Sequence, residues 1–325
     1  MNVLVTGIDG FVGTHLRASL AGIIDVRLFG IVRHRTPTQS LTNRTLDFTP
    51  LTADIRDAQQ VQMAIDECKP DKIFHLAGQA YVPVSFKDPI GTFQTNIQGT
   101  LNLLEAVRRF SMSDKKRCSV LVVSSAEVYG SVPAELLPID EHVPLNPPNP
   151  YAVSKACVDL IAQQYRINFD IDVVVARPFN HLGPGQSDLF VGSSFAKQIA
   201  EIKLGKRDGR LSVGNLDPVR DFTDVRDVVQ AYQKLLDRTQ EHAVFNICSE
   251  RFMSIKALLE LLRELSGVDV EIVPDPTRQR TREIPTLVGC SARLRSATGW
   301  FPTIPLEQTL RDLLAYWENH LRHVS

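Results

Sequence analysis

Tyr151 and Lys155 stand four residues apart in Asn149-Pro150-Tyr151-Ala152-Val153-Ser154-Lys155. On a helix, positions i and i+4 share a face. A phenol beside an ammonium makes a workable proton donor and acceptor, because the positive charge favours phenolate and lowers a pKa that is otherwise about 10. Upstream, Thr6-Gly7-Ile8-Asp9-Gly10-Phe11-Val12-Gly13 spaces its glycines G-x-x-G-x-x-G. This is looser than G-x-G-x-x-G, but the mechanics are the same. Small residues let the backbone turn and approach a pyrophosphate, and a helix N-terminus points its N–H groups at the anion. The plainer alternative is a strand-to-helix turn. Proton transfer beside a hydride carrier is carbonyl/alcohol redox chemistry. In Val123-Ser124-Ser125-Ala126-Glu127 the Ser125 hydroxyl can donate to the carbonyl oxygen that Tyr151 would protonate. Glu127 is open to two readings: a base for a substrate C–H, or a cap for the following loop.

These residues need a scaffold that brings strand ends together. Apolar runs predict strands at Val3–Thr6, Val26–Val32, Leu46–Asp54, Lys72–Leu76, Val120–Ser125 and Val173–Arg177. Helical patterns intervene at Phe11–Leu20, Ala58–Glu67, Ile90–Phe110 and Tyr151–Phe169. Continuously apolar strands alternating with helices predict a parallel sheet covered on both faces, a Rossmann-type doubly wound α/β fold. Ligands of such sheets bind beyond the carboxyl ends of the strands, where Gly7, Ala77, Ser125 and Asn180 fall. From about Arg177 the texture turns to polar loops and shorter helices, near Ser194–Leu204, Val225–Asp237, Ser254–Ser266 and Leu306–Leu321. The expected division is a dinucleotide domain over 1–178 and a smaller α/β substrate lobe over 179–325. Two strands, near Ala243–Cys248 and Val270–Val273, are expected to return to the sheet.

The cofactor should be chosen at the end of the second strand. An NAD enzyme usually places a carboxylate there for the ribose 2′-hydroxyl. Here Phe29-Gly30-Ile31-Val32-Arg33-His34-Arg35 has none, and Arg33 and Arg35 could pair a 2′-phosphate. That favours NADP(H), with two arginines on a solvated loop as the alternative. Asp54 and Ile55 would then flank the adenine. The formal net charge of −1 gives no basic field for nucleic acid or an anionic membrane, so an anionic ligand needs a local cluster. No apolar run approaches the roughly 18 residues of a spanning helix. With no leader pattern at the N-terminus, a cytoplasmic location is expected. Five isolated cysteines, without a C-x-x-C pair, argue against a disulfide framework or zinc site. His75 and His181 share no metal-ligand spacing with carboxylates or thiols and read as polar packing.

Over nearly its whole length the chain resembles the extended short-chain dehydrogenases/reductases that act on nucleotide sugars. The motifs are Gly7-x-x-Gly10-x-x-Gly13, Asp54, His75-Leu76-Ala77-Gly78, Asn96, Ser124-Ser125, Tyr151-x-x-x-Lys155 and Arg177-Pro178-Phe179-Asn180. It is most similar to the branch of GDP-mannose 4,6-dehydratases and GDP-4-keto-6-deoxymannose reductases, through Gly30–Arg33, Phe179–His181, Val213–Asp217, Arg220–Asp227 and Arg280-x-x-Glu283-Ile284-Pro285-Thr286. The resemblance implies a catalytic Ser125, Tyr151 and Lys155, with Glu127 beside them. It implies that Gly7, Gly10, Phe11, Val12 and Gly13 hold the cofactor pyrophosphate. Arg33, Asp54 and Ile55 would meet its adenosine half, and Leu76, Ala77, Gly78, Asn96, Ser124, Tyr151, Lys155 and Phe179 the remainder. It implies substrate contacts at Gln79, Ser125, Asn180, Lys197, Arg220, Arg280 and Glu283, where guanidinium forks suit phosphate oxygens. It also implies a homodimer or homotetramer, with the helices Ile90–Phe110 and Tyr151–Phe169 at the subunit contact.

One departure helps to choose among activities. Dehydratases of this branch place an acid between the serine or threonine and the glutamate, to protonate the leaving C6 hydroxyl. Here that residue is Ala126, which has no proton to give. The expected activity is therefore NADPH-dependent reduction of a GDP-linked 4-keto-6-deoxyhexose, to GDP-D-rhamnose or its C4 epimer. A GDP-mannose 4,6-dehydratase and a nucleotide-sugar 4-epimerase are the alternatives on the same fold. A dinucleotide-binding regulator is the alternative of another class. Loss of the tyrosine or lysine would favour it, and both are present.

Overall fold

The computed structural model describes residues 1–21, 23–34, 48–237, 240–278 and 283–323. The chain forms two compact units. The first comprises Met1–Val128, Pro147–Arg177 and Val229–Phe245, and the second comprises Tyr129–Asn146, Pro178–Val228 and Asn246–Ser325.

The first unit is built on a parallel sheet. Its strands are β1 (Asn2–Thr6), β2 (Arg27–Val32), β3 (Thr49–Thr52), β4 (Lys72–His75), β5 (Ser119–Val123) and β6 (Val173–Pro178), and Val244–Ile247 runs beside β6 as a seventh. The order is Val244–Ile247, β6, β5, β4, β1, β2, β3. Consecutive strands leave β1 in opposite directions, which is the doubly wound arrangement. Val3, Leu4, Val5, Val120, Leu121 and Val122 are wholly buried, as expected for strands covered on both faces. Six helices belong to this stretch: α1 (Phe11–Leu20), α2 (Ala58–Cys68), α3 (Val82–Lys87), α4 (Pro89–Phe93), α5 (Gly99–Asp114) and α6 (Pro150–Phe169).

Three expectations change. The third strand is shorter than Leu46–Asp54, since only Thr49–Thr52 pairs with β2 among the described residues. The expected helix Ile90–Phe110 is interrupted. Asp88 caps α4 through Gly91, and a π-helical turn over Gln94–Gln98 separates α4 from α5. Such turns widen the hydrogen-bond ladder by one residue and concentrate at functional sites. Finally, Val270–Val273 does not return to the large sheet. Glu271–Pro274 instead pairs in parallel with Arg210–Val213 in the second unit. None of its four residues is buried, which suits a two-stranded ribbon and not a covered central strand.

The second unit has its own core, in which Phe195, Ile199, Leu211, Phe222, Leu258, Leu262, Leu310 and Trp317 pack together. Among the described residues no helix is long and apolar enough to cross a membrane.

Candidate active site

At the end of β1 the chain turns through Gly7, whose φ of +72° only glycine adopts without strain. A Cβ on Gly7 would lie 2.8 Å from the Ala77 nitrogen, and one on Gly13 would lie 2.2 Å from the Gly7 carbonyl oxygen. The turn closes with the Gly10 N–H donating to the Gly7 carbonyl across 3.0 Å. Gly10 is the N-cap of α1 and supplies no side-chain acceptor. The positive end of α1, which starts at Phe11 and Val12, is thus left to an outside anion over a floor without side chains. The residues present fit a dinucleotide pyrophosphate.

Arg33 follows β2 directly. Asp54 follows β3, but its carboxylate is taken by Arg56 (2.6 and 3.0 Å). That pairing holds the Asp54 carboxyl below the usual range, and the Arg33 charge adds in the same direction. The cation thus neutralises the acid expected beside the adenine. Ile55 is buried, packs where a Gly99 side chain would be, and accepts from Asn102 through its carbonyl (2.9 Å). Arg35 lies outside the described residues.

Asn149 sets the start of α6, its Oδ1 accepting from the Ala152 N–H at 2.8 Å, with Pro150 in the first turn. Tyr151 and Lys155 then follow on one face, each 8% exposed. Ser125, just past the end of β5, accepts from the Glu127 N–H at 3.2 Å, and its hydroxyl is felt at the Tyr151 phenol. The Lys155 ammonium donates to the Val123 carbonyl at 2.7 Å. Ser124 donates to the Lys155 carbonyl at 3.1 Å, so its hydroxyl anchors the helix from below. Asn149 donates to the Glu127 carboxylate at 3.3 Å, and Ala126 is buried.

The electrostatics correct one expectation. Burial pushes the Tyr151 phenol up to about 12; the Ser125 hydroxyl opposes this and the Glu127 charge adds to it. Lys155 does not lower it, because the ammonium is turned to Val123 and burial brings Lys155 itself down to about 8. The tyrosine is held as a neutral proton donor.

Leu76, Ala77 and Gly78 leave β4 against the Gly7 turn, and a Cβ on Gly78 would lie 3.1 Å from Asn96 Oδ1 and 3.5 Å from Lys155 Nζ. Asn96 lies in the π-helical turn and is buried. Its side chain accepts from the Gln79 N–H (2.8 Å) and donates to the Gln79 carbonyl (3.0 Å) and to Ser154 Oγ (2.8 Å). The Gln79 side chain serves Thr92 and the Tyr81 N–H. Sequence reasoning missed Ser154, Thr6 and Thr92. Ser154, one residue before Lys155 inside a quoted motif, was within reach of it.

The remaining expected residues lie in the second unit. Phe179 is buried there, stacked on Tyr129 with centroids 6.5 Å apart and closed off by Gly289. Its ring is therefore part of that unit's packing. Asn180 opens the short strand Asn180–Leu182 and is half-buried. Arg220 is buried, donates to the Val219 carbonyl (2.9 Å) and faces Glu283 at 3.6 Å. Lys197 is paired with Asp188 at 2.7 Å and lies over the Trp317 ring. Arg280 lies outside the described residues.

The chain matches the model of the family GDP-mannose 4,6 dehydratase over residues 4–313. It is 42% identical to a GDP-6-deoxy-D-mannose reductase of Pseudomonas aeruginosa, covering 98% of both chains. It is 31% identical to a GDP-6-deoxy-D-talose 4-dehydrogenase of Aggregatibacter actinomycetemcomitans, over 92% of each. Among solved structures it resembles an RMD from Pseudomonas aeruginosa complexed with NADPH, at a TM-score of 0.84 and 41% identity over 98% of this chain and 99% of that one. Glycine turn, Ser-Tyr-Lys cluster and parallel sheet are thus accompanied by similarity along the whole chain, which belongs to the GDP-mannose 4,6-dehydratase family of extended short-chain dehydrogenases/reductases.

Proposed function

We propose that this protein is an NADPH-dependent reductase of the 4-keto group of GDP-4-keto-6-deoxy-D-mannose, forming GDP-D-rhamnose or its C4 epimer. The observation that carries the reading is the buried Tyr151, on one helical face with Lys155, with Ser125 and an apolar, buried Ala126 just past the end of β5. When bound, NADPH supplies the hydride for C4. Ser125 holds the carbonyl oxygen by a hydrogen bond. Tyr151 gives that oxygen its proton, and a phenol kept neutral is suited to donate. Lys155 holds the start of α6 to the end of β5 through the Val123 carbonyl, and so seats Tyr151 beside Ser125. The Gly7–Gly13 turn and the start of α1 hold the pyrophosphate, and Arg33 pairs the 2′-phosphate. We assign Asn180 and Arg220 to the nucleotide diphosphate, Arg280 to phosphate or ribose oxygens and Glu283 to the ribose hydroxyls, and Lys197 and Gln79 to substrate through the internal partners that hold them in place. The relative named as a GDP-6-deoxy-D-mannose reductase supports this reading.

One observation favours the dehydratase as a second reading. The Glu127 charge is felt at Tyr151, so a carboxylate base stands near the reacting carbon. Loss of 340-nm absorbance on mixing protein, NADPH and the 4-keto sugar is expected. Water loss from GDP-mannose without NADPH consumption on the keto sugar would select the dehydratase instead.

We also place the protein in the cytoplasm as a homodimer or homotetramer. All five cysteines are free thiols, which suits a reducing compartment. Ile90, Leu160 and Ile167 of α4 and α6 are exposed and apolar, a surface that a second copy would cover. A monomer in sedimentation at micromolar concentration would contradict the oligomer.

A further inference from the structure

A line of hydrogen bonds crosses the interior of the first unit, and its direction is fixed at both ends. The Ala77 N–H donates to Thr6 Oγ1 at 3.1 Å. Thr6 Oγ1 lies 2.8 Å from His75 Nδ1. His75 Nε2 lies 3.0 Å from Thr100 Oγ1. Thr100 Oγ1 donates to the Asn96 carbonyl at 2.7 Å. An amide N–H can only donate and a carbonyl can only accept. The single proton of Thr100 is used on Asn96, so toward His75 this hydroxyl can only accept. His75 must therefore carry a proton on Nε2. Thr6 accepts from Ala77 and turns its own proton to Nδ1, which must be bare. The opposite tautomer would set a bare Nε2 against an oxygen whose only proton is already used. His75, Thr6 and Thr100 are at most 3% exposed, so no solvent reaches the line to repair such a mismatch.

The line joins two parts of the site. Thr6 immediately precedes Gly7, and a Gly7 side chain would collide with the backbone of Ala77. Asn96 holds Ser154, between Tyr151 and Lys155 on α6. We infer that His75 is a positioning residue for hydride transfer: as a neutral Nε2–H imidazole it fixes the Gly7 turn relative to the Asn96 turn, and through Ser154 the seat of Lys155. Burial first, and the Lys155 charge second, hold its imidazolium down to about 3, in agreement with the bonding. His181, which is half-buried, has the opposite arrangement. His181 Nδ1 faces the Phe179 carbonyl at 3.1 Å and must donate, so the two rings are distinguishable.

The kinetic part of this inference rests on the proposed reductase activity; the tautomer does not. Long-range proton–nitrogen spectra of the full chain labelled with ¹⁵N-histidine give the test, with His75 assigned by through-bond correlation of its ring to its own backbone amide. A bare Nδ1 and a protonated Nε2 are expected at neutral pH. A proton on Nδ1 would overturn the inference, even where no variant folds. In kinetics, His75→Leu should lower kcat about tenfold or more, with NADPH affinity changed less than about threefold. His75→Gln, whose amide can accept from Thr6 and donate to Thr100, should recover kcat to within about threefold of wild type. Equal kcat values for the Leu and Gln variants would mean that the ring only fills space. Failure of the wild type to reduce the keto sugar would defeat the reductase reading and leave the tautomer result standing.

Discussion

The Lys155 ammonium donates to the Val123 carbonyl across 2.7 Å, at the last residue of β5 and two residues before Ser125. Strand and catalytic helix are thereby joined by the residue that also carries the site's positive charge. The charge is kept inside the protein, and burial lowers the pKa to about 8. The ammonium is therefore lost as pH rises through that value, well before an ordinary lysine would lose it. In the free enzyme, kcat/KM for reduction should fall above about pH 8. Lys155→Arg should move this limb upward, because guanidinium stays charged. Identical limbs in the two proteins would assign the titration to another group.

The floor of the glycine turn is equally specific. A methyl group on Gly13 would stand 2.2 Å from the Gly7 carbonyl oxygen, inside any allowed contact. On Gly10 the nearest atom is 3.1 Å away. Gly13→Ala should weaken NADPH binding at least about tenfold, and Gly10→Ala by a clearly smaller factor. Titration of cofactor fluorescence measures both. Equal losses would show that the close approach at Gly13 is not what shapes the turn.

Cofactor choice should follow Arg33. Asp54, at which the Arg33 charge is felt, has its carboxylate paired with Arg56. Arg33→Asp should lower the ratio of kcat/KM for NADPH over NADH by at least about tenfold, since the new carboxylate repels the phosphate and can accept from a hydroxyl. An unchanged ratio would remove Arg33 from the phosphate site.

A buried ion pair ties the middle of α6 to β6. Asp159, two turns beyond Tyr151, accepts from Arg177 at 2.6 Å, and both side chains are buried. Asp159→Asn would remove the carboxylate charge from this pair. Breaking such a pair on one side costs about 3–5 kcal/mol. The urea midpoint should fall accordingly, and a midpoint equal to that of the wild type would contradict the pair's role.

How far the sequence reaches is visible in these residues. The Tyr151–Lys155 spacing predicts one helical face, and α6 provides it because Asn149 and Pro150 are strong local start signals. Apolar runs predict the strands because a sheet covered on both faces demands them throughout. The π-helical turn at Gln94–Gln98 is not legible, since one extra residue in a hydrogen-bond ladder leaves no trace in hydrophobic period. Nor is the Tyr151 pKa, which depends on how deeply the phenol is buried and where Lys155 points. Partner choice is likewise tertiary. Lys197 goes to Asp188 and Ser124 to the α6 backbone through folds of chain that no local pattern encodes.

The central claim is that this site reduces a 4-keto sugar and does not expel water, because Ala126 can give no proton to a leaving hydroxyl. The direct measurement follows two substrates with one preparation. With GDP-4-keto-6-deoxy-D-mannose and NADPH, absorbance at 340 nm should fall, and product mass should rise by two hydrogens. Tyr151→Phe should lose about 10²–10⁴-fold of that rate while still binding NADPH. With GDP-mannose and NADP⁺, mass spectrometry should show little loss of water. Robust water loss from GDP-mannose, with no NADPH oxidised by the keto sugar, would contradict the account and make the site a dehydratase.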